Sequence, residues 1–294
     1  MISVRPLDGD ADFEAWIHVR RAVVPKESAG TVEQLRVRSS PGTLFVLAEL
    51  DGELAGSGIA GISDLRDRAF VAPRVLPGLR RQGVGTALLR ALIRHTEGLG
   101  VDKVSSLVTD AGSETFAERF GFREVDSQVE QVRALDVPPE VEPLPAGVDV
   151  VTIEERPELL EAAYPLAREG WAEFATDAPA TIDLPDWLRG EATLPAGSFV
   201  ALGGGEIVGY SGLCAHDNDG VAEDGLTVVR RDWRRRGLAA ALKQRELAWA
   251  AANGYREVVT WTQNGNEAMR AVNTRLGYEY RDVAVTMVAP IPLP

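Results

Sequence analysis

The 294-residue sequence holds a single cysteine, Cys214. One thiol excludes an internal disulfide and any metal site built from several cysteines. Cys214 lies in the apolar run VGYSGLC, where it reads as a buried structural thiol. Long apolar runs are also missing: no stretch approaches the roughly 18 residues that would mark a membrane span. The N-terminal MISVRPLDGD lacks the charged-then-apolar pattern of a signal peptide, so the expectation is a cytoplasmic protein. Basic residues are outnumbered, 31 Lys and Arg against 44 Asp and Glu, for a formal net charge of −13. That balance argues against nucleic acid or an anionic membrane as partner, since both need a broad basic face. Cationic small molecules or peptides suit it, and simple solubility accounts for it equally well.

What is present is a pattern that occurs twice. Apolar residues make up 45% and charged residues 26%, enough for a core in each of two lobes. Four prolines fall within DVPPEVEPLPAG, so the expected division is 1–137, an extended linker 138–147, and 148–294. In the first half, Asp10 to Val24 has helical spacing, and Asp51-Gly52 between two apolar runs signals a hairpin ending at Ile62. A strand at Phe70 to Leu76, a helix opened by Gly83, the strand DKVSSLVTD and a short helix stopped by Gly121 follow. The second half repeats the order: VDVVTIEE, a helix interrupted or kinked at Pro165, two strands in SFVALGGGEIVGYSGLC, GLTVV, a helix opened by Gly237, REVVTWTQ, and a helix stopped by Gly277. Gly83 and Gly237 lie 154 positions apart, Gly121 and Gly277 156 apart. The expected fold class is a mixed α/β sheet, present twice, with a βαβ unit in each copy.

The pivot of each copy is chemical. In the second, a β-branched strand runs into RRDWRRRGLAAALK, and unpaired N–H groups, helix dipole and guanidinium charge together suit an anion such as phosphate. A Walker loop is excluded because Leu238 follows Gly237, and a dinucleotide fingerprint because only one glycine is present. What remains, Arg234-x-x-Gly237-x-Ala239 and Arg80-x-x-Gly83-x-Gly85, resembles the acyl-CoA signature of the GNAT N-acetyltransferase superfamily. FAERFGF and VNTRLGY resemble its closing helix. The tandem arrangement is similar to duplicated bacterial members of the mycothiol synthase type.

The resemblance implies two tandem GNAT domains that use acetyl-CoA as co-substrate and no metal. It puts the pyrophosphate on the backbone of Arg235, Arg236, Gly237, Leu238 and Ala239, and of Arg81, Gln82, Gly83, Val84 and Gly85, with Arg234 and Arg80 as the cofactor-binding first residues of the two signatures. The pantetheine arm falls to the amides of Val228 and Val229, and of Val75 and Leu76, with Asn266 as a further contact where the first half has Asp110. Counting eleven positions back from the signature gives Glu223 as general base in the second half and Ala69 in the first. Where many members carry an acidic Tyr, this chain has Asn273, a catalytic candidate that can hydrogen-bond the sulfur but not protonate it, and Ala117. That leaves Tyr278, Tyr280 or water to protonate the thiolate, or its departure unassisted. The acceptor, an amine of a small molecule or peptide, is expected against the acidic stretch Glu154 to Glu191 with Trp171, Phe174 and Trp187; core tryptophans under a solvated face are the alternative. The second half is then the enzyme, as monomer or homodimer, and the first a partner that retains CoA. The other function class is a catalytically silent acyl-CoA sensor or scaffold.

Overall fold

The computed structural model describes residues 1–26, 29–39, 42–63, 67–137, 139–173 and 182–293. The first half runs β1 (Ile2–Pro6), α1 (Asp10–Val23), α2 (Val32–Arg38), β2 (Leu44–Leu50), β3 (Glu53–Ile62), β4 (Ala69–Val75), α3 (Val84–Thr96), β5 (Lys103–Val108), α4 (Ala111–Glu118) and β6 (Arg123–Ala134). The second runs β7 (Val148–Thr152), α5 (Glu158–Trp171), α6 (Leu184–Gly190), β8 (Phe199–Gly203), β9 (Glu206–Ala215), β10 (Val221–Val229), α7 (Leu238–Ala252), β11 (Glu257–Gln263), α8 (Glu267–Arg275) and β12 (Glu279–Pro290). The hairpins turn as read: Asp51 and Gly52, and Gly204 and Gly205, all have positive φ, as a two-residue turn matched to strand twist requires. Pro165 lies inside an unbroken α5, which buries Leu159, Ala163, Leu166 and Ala167. That buried face outweighs the one lost backbone donor.

The division at the proline-rich segment does not hold. The chain forms one unit from Met1–Val125 with Val285–Pro294, and a second from Asp126–Ala284. Residues 139–147 do lack helix and strand, yet they belong to the second unit, where Glu142 N–H donates to Gln244 Oε1 at 3.1 Å. The cause is an exchange of closing strands. Val285–Pro290 of β12 pairs antiparallel with β5, and Gln128–Ala134 of β6 pairs antiparallel with β11. Each half therefore supplies the last strand of the other half's sheet.

Within the first unit the strand order is β1-β2-β3-β4-β5-β12, antiparallel except for the parallel β4–β5 pair. Strand alternation sends Phe45, Leu47, Ile59 and Phe70 toward Trp16 and Leu35 on one face, and Val46, Ala60 and Val71 toward Leu88, Leu89 and Leu92 of α3 on the other. The second unit has the matching order β6-β11-β10-β9-β8-β7, with β10–β11 parallel. Trp171, Trp187, Tyr210 and Leu226 form the core beneath α5 and α6, while Val208, Leu213 and Val258 pack on the α7 side. Trp171 and Trp187 are thus core residues rather than an exposed platform for a cation; Phe174 lies outside the described residues. Among the described residues no helix is long and apolar enough to cross a membrane.

Candidate active site

Both signature turns have the same backbone. Arg81 and Gly83 have φ of 63° and 91°, Arg235 and Gly237 of 62° and 82°. An arginine in the left-handed region is strained, and its recurrence in both turns marks a conformation kept for use. Successive residues of this kind turn their N–H groups into a concave nest, and neither α3 nor α7 has a side-chain cap over its first amides. At Gly237 nothing lies within 4 Å of a Cβ position, so no neighbouring side chain crowds the turn on that side. The arginines are less free than their number suggests. Arg230 pairs with Glu206 and Asp232, and Arg231 and Arg234 both pair with Glu173, whose carboxyl Arg234 chiefly holds below the usual range. Arg235 and Arg236 make no ion pair among the described residues; Arg236 stacks on Trp233, 4.8 Å from the ring centre.

Next to each nest the parallel strands part: β10 pairs with β11 over Val221–Glu223, β4 with β5 over Ala69–Phe70. Which amides face the opening follows from alternation. Arg230 N–H donates to Val208 O, so on β10 Val228 also points its N–H at β9, leaving Thr227 and Val229 to face the gap. On β4, Leu76 N–H donates to Ala55 O, leaving Val75. Of the four amides expected to hold a pantetheine arm, Val75 and Val229 face the gap, while Val228 and Leu76 are turned to the neighbouring strand. Arg80 and Arg234 reach back to the carbonyls of Val75 and Val229 at 3.3 and 2.8 Å. Two residues earlier the units differ: Thr227 has an N–H, and Pro73 has none. In the first unit the cleft is lined by Pro73, Arg74, Arg80, Ser106, Asp110 and Phe116.

The two units also differ in register. β10 carries a one-residue bulge between Asp224 and Thr227, whereas β4 pairs with β3 without a break. Val104 opposes Ala69 and Val258 opposes Ala222, so the counterpart of Glu223 is Phe70, not Ala69. Phe70 packs with Phe45 and Trp16, filling with rings the face on which Glu223 presents a carboxyl. Burial, with the nearby Asp224 and Glu130 charges, pushes the Glu223 pKa up.

Asn273 is fully buried, and its amide donates to Gln131 Oε1 at 3.0 Å and Thr262 Oγ1 at 3.3 Å. Both of its hydrogens are spent on β6 and β11, so the structure does not offer it to a thiolate. Asn266 uses its side-chain oxygen to cap α8 at Met269 N–H, as Asp110 caps α4. Tyr278 is buried and donates to Asp224 Oδ2 at 3.2 Å, and burial raises its pKa well above the usual phenol.

Sequence reading missed a polar network under the bulge. Lys243 of α7 pairs with Asp224, each side chain 1% exposed, and Thr260 Oγ1 donates to the Asp224 carbonyl at 3.0 Å. Buried Glu246 lies alongside, its pKa raised by burial and by Asp224. Also missed was Glu191, which follows α6: its Oε1 accepts from Tyr210 O–H at 3.0 Å and from the Leu226 N–H at 3.5 Å. The first unit holds Val71, Leu89, Leu92 and Phe122 where the second has Asp224, Lys243, Glu246 and Tyr278, and that internal comparison was the available signal.

The Acetyltransferase (GNAT) family profile matches residues 10–122 and 158–278. The chain is 29% identical over 262 residues to a mycothiol acetyltransferase of Actinosynnema mirum, covering 85% of each chain. It is 28% identical over 287 residues to that of Catenulispora acidiphila, covering 95% of this chain and 83% of the relative. Among solved structures, a GCN5-related N-acetyltransferase from Sphaerobacter thermophilus superposes with a TM-score of 0.78 at 23% identity, covering 100% of this chain and 96% of that one. A tandem GNAT protein from the clavulanic acid biosynthesis pathway gives 0.77 at 22%, covering 99% and 98%. These last two likenesses concern the fold.

Proposed function

Since the chain belongs to the GNAT acetyltransferase family, we propose that its second unit transfers acetyl directly from acetyl-CoA to a primary amine of a small molecule or peptide. The observation that carries this reading is the bulged β10. Alternation turns its Thr227 and Val229 amides toward the gap, and Glu223 on the same strand, with its raised pKa, supports the assignment of a base there. The nest at Arg235 to Ala239 takes the pyrophosphate, and Val229 the pantetheine arm. A reaction fed by acetyl-CoA belongs in the cytoplasm. The acceptor of the mycothiol acetyltransferases is the first amine to try, because those relatives align along most of the chain.

For the first unit alone a second reading is favoured, that of a silent acyl-CoA-binding partner. Its nest is intact, but Pro73 removes an amide from the gap and Phe70 fills the base position. Incubating the full chain with acetyl-CoA and an amine panel, and measuring free CoA with mass spectrometry of the products, tests both. Acetylated amine supports transfer; acetyl-CoA binding without product from any amine would leave only the silent module.

A further inference from the structure

We propose that Glu191 is a second catalytic carboxylate of this site, which receives the acceptor as its ammonium and takes the first proton from it. The inference rests on the amine-acetylation reading above. It starts from space made for one side chain. A Cβ at Gly212 of β9 would overlap both Glu191 Oε1 and Tyr210 Oη, and one at Gly225 of β10 would lie 2.9 Å from Glu191 Oε1. Two glycines on adjacent strands, one of them in the bulge itself, thus admit this carboxyl to the sheet. In the first unit Ile59 stands at the register position of Gly212, and no bulge is present.

Position and access agree. Glu191 lies on the face of the sheet that carries Tyr210 and Leu226, and its Oε1 takes the bulge amide of Leu226. Gly225, beside it, is exposed, so the carboxyl borders an opening. Tyr210 of β9 lies against it, Cys214 of β9 feels both its charge and that of Glu223, and Asp224 of β10 and Glu246 of α7 act on it from the α7 side of the sheet. Burial chiefly raises its pKa to about 7, and the Tyr210 hydrogen bond opposes that rise.

The proton balance needs two acceptors, and the site has two. An ammonium donates one proton to Glu191 and becomes a free amine. Its nitrogen lone pair then forms the C–N bond as the thioester π pair moves to oxygen. Glu223 takes the second nitrogen proton, the carbonyl re-forms, and the C–S bond breaks to release CoA thiolate. Glu191 returns its proton to solvent, and Glu223 returns its own to the thiolate or to solvent.

The test is the pH profile of kcat/KM on the full chain, for Glu191→Gln, Glu191→Asp, Glu223→Gln and Tyr210→Phe, with melting temperature and acetyl-CoA affinity as controls. In the parent, kcat/KM rises with pH through about 7, because Glu191 must be ionised. Glu191→Gln should lose that limb and roughly 10²-fold or more in rate, the loss expected for one proton-transfer group. Glu191→Asp should recover part of the rate, and Glu223→Gln should slow turnover while keeping the limb. Tyr210→Phe removes a donor to the carboxylate and should move the limb to higher pH. A folded Glu191→Gln that binds acetyl-CoA and keeps both rate and limb overturns the assignment. If that variant does not fold, an unmoved limb in Tyr210→Phe overturns it instead. Absence of acetyl transfer to any amine by the parent would bring down the underlying reading, and this one with it.

Discussion

Pro73 and Thr227 occupy the same position on β4 and β10, two residues before the valine whose carbonyl accepts from the signature arginine. Only the second can aim an N–H into the gap. Thr227→Pro should therefore lower turnover by about 10²-fold or more, the loss expected for one oxyanion donor. Thr227→Val removes the hydroxyl contacts with Ser211 and Asp224 but keeps the amide, and should retain most activity. Steady-state kinetics of the pair separates backbone from side chain, and the first unit already tolerates proline at this position.

Glu223→Gln should slow turnover by roughly 10²-fold while leaving acetyl-CoA affinity nearly intact, because it removes a proton acceptor and no phosphate contact. Calorimetry together with initial rates reads both quantities. Equal rates in parent and variant would remove Glu223 from the reaction.

A carboxylate at either pivot glycine would put charge and a strained φ where an anion must sit. Gly237→Glu should abolish acetyl transfer and Gly83→Glu should leave most of it, with melting curves confirming that both are folded. The reverse pattern would make the first unit the enzyme.

Lys243→Leu leaves Asp224 charged in the core, which costs on the order of 3–5 kcal/mol. Adding Asp224→Val, Glu246→Leu and Tyr278→Phe copies the first unit's apolar set and should return much of that loss. Denaturant midpoints of the single and quadruple variants measure it.

The Glu191 carboxyl has an ordinary pKa of 4.5 that rises to about 7 in the fold. As pH increases from 4.5 to 7 the unfolded chain releases this proton and the folded chain keeps it. The unfolded state then binds fewer protons, so this group costs stability across that window, by a few kcal/mol at most. Glu191→Gln should be more stable relative to the parent at pH 8 than at pH 4, as read by melting temperature at each pH. An equal difference at both values would contradict the raised pKa.

Much of this site could be read from the chain because its phosphate end is local. The Arg234 to Ala239 turn encodes its own conformation in consecutive residues, and the spacing of Gly83 from Gly237 exposed the duplication. The chemical end is not local. The bulge is a relation between β9 and β10, so counting along one strand gave Ala69 as the partner of Glu223 when pairing gives Phe70. Likewise, the room for Glu191 depends on Gly212 and Gly225, which are remote from it in sequence. Lys243 and Glu246 carried no signal in the sequence, because helical spacing cannot tell which polar residue of α7 meets a buried Asp224. Asn273 was placed by its offset from Gly277, but its hydrogen bonds depend on Gln131, which comes from the other half of the sequence.

The exchange of β6 and β12 gives the chain an order of manufacture. The first sheet begins at Ile2 but is closed by Val285–Pro290, which a ribosome adds only after the whole of the second unit. Its edge at β5 stays open throughout synthesis of the second unit, which receives its own sixth strand, β6, before any other part of it is made. The unit proposed to do chemistry can thus finish folding first, and the older half of the nascent polypeptide waits for β12. A stop codon just after Ala284 would spare every side chain assigned to catalysis, yet leave the first sheet with an exposed edge ready to pair with another molecule.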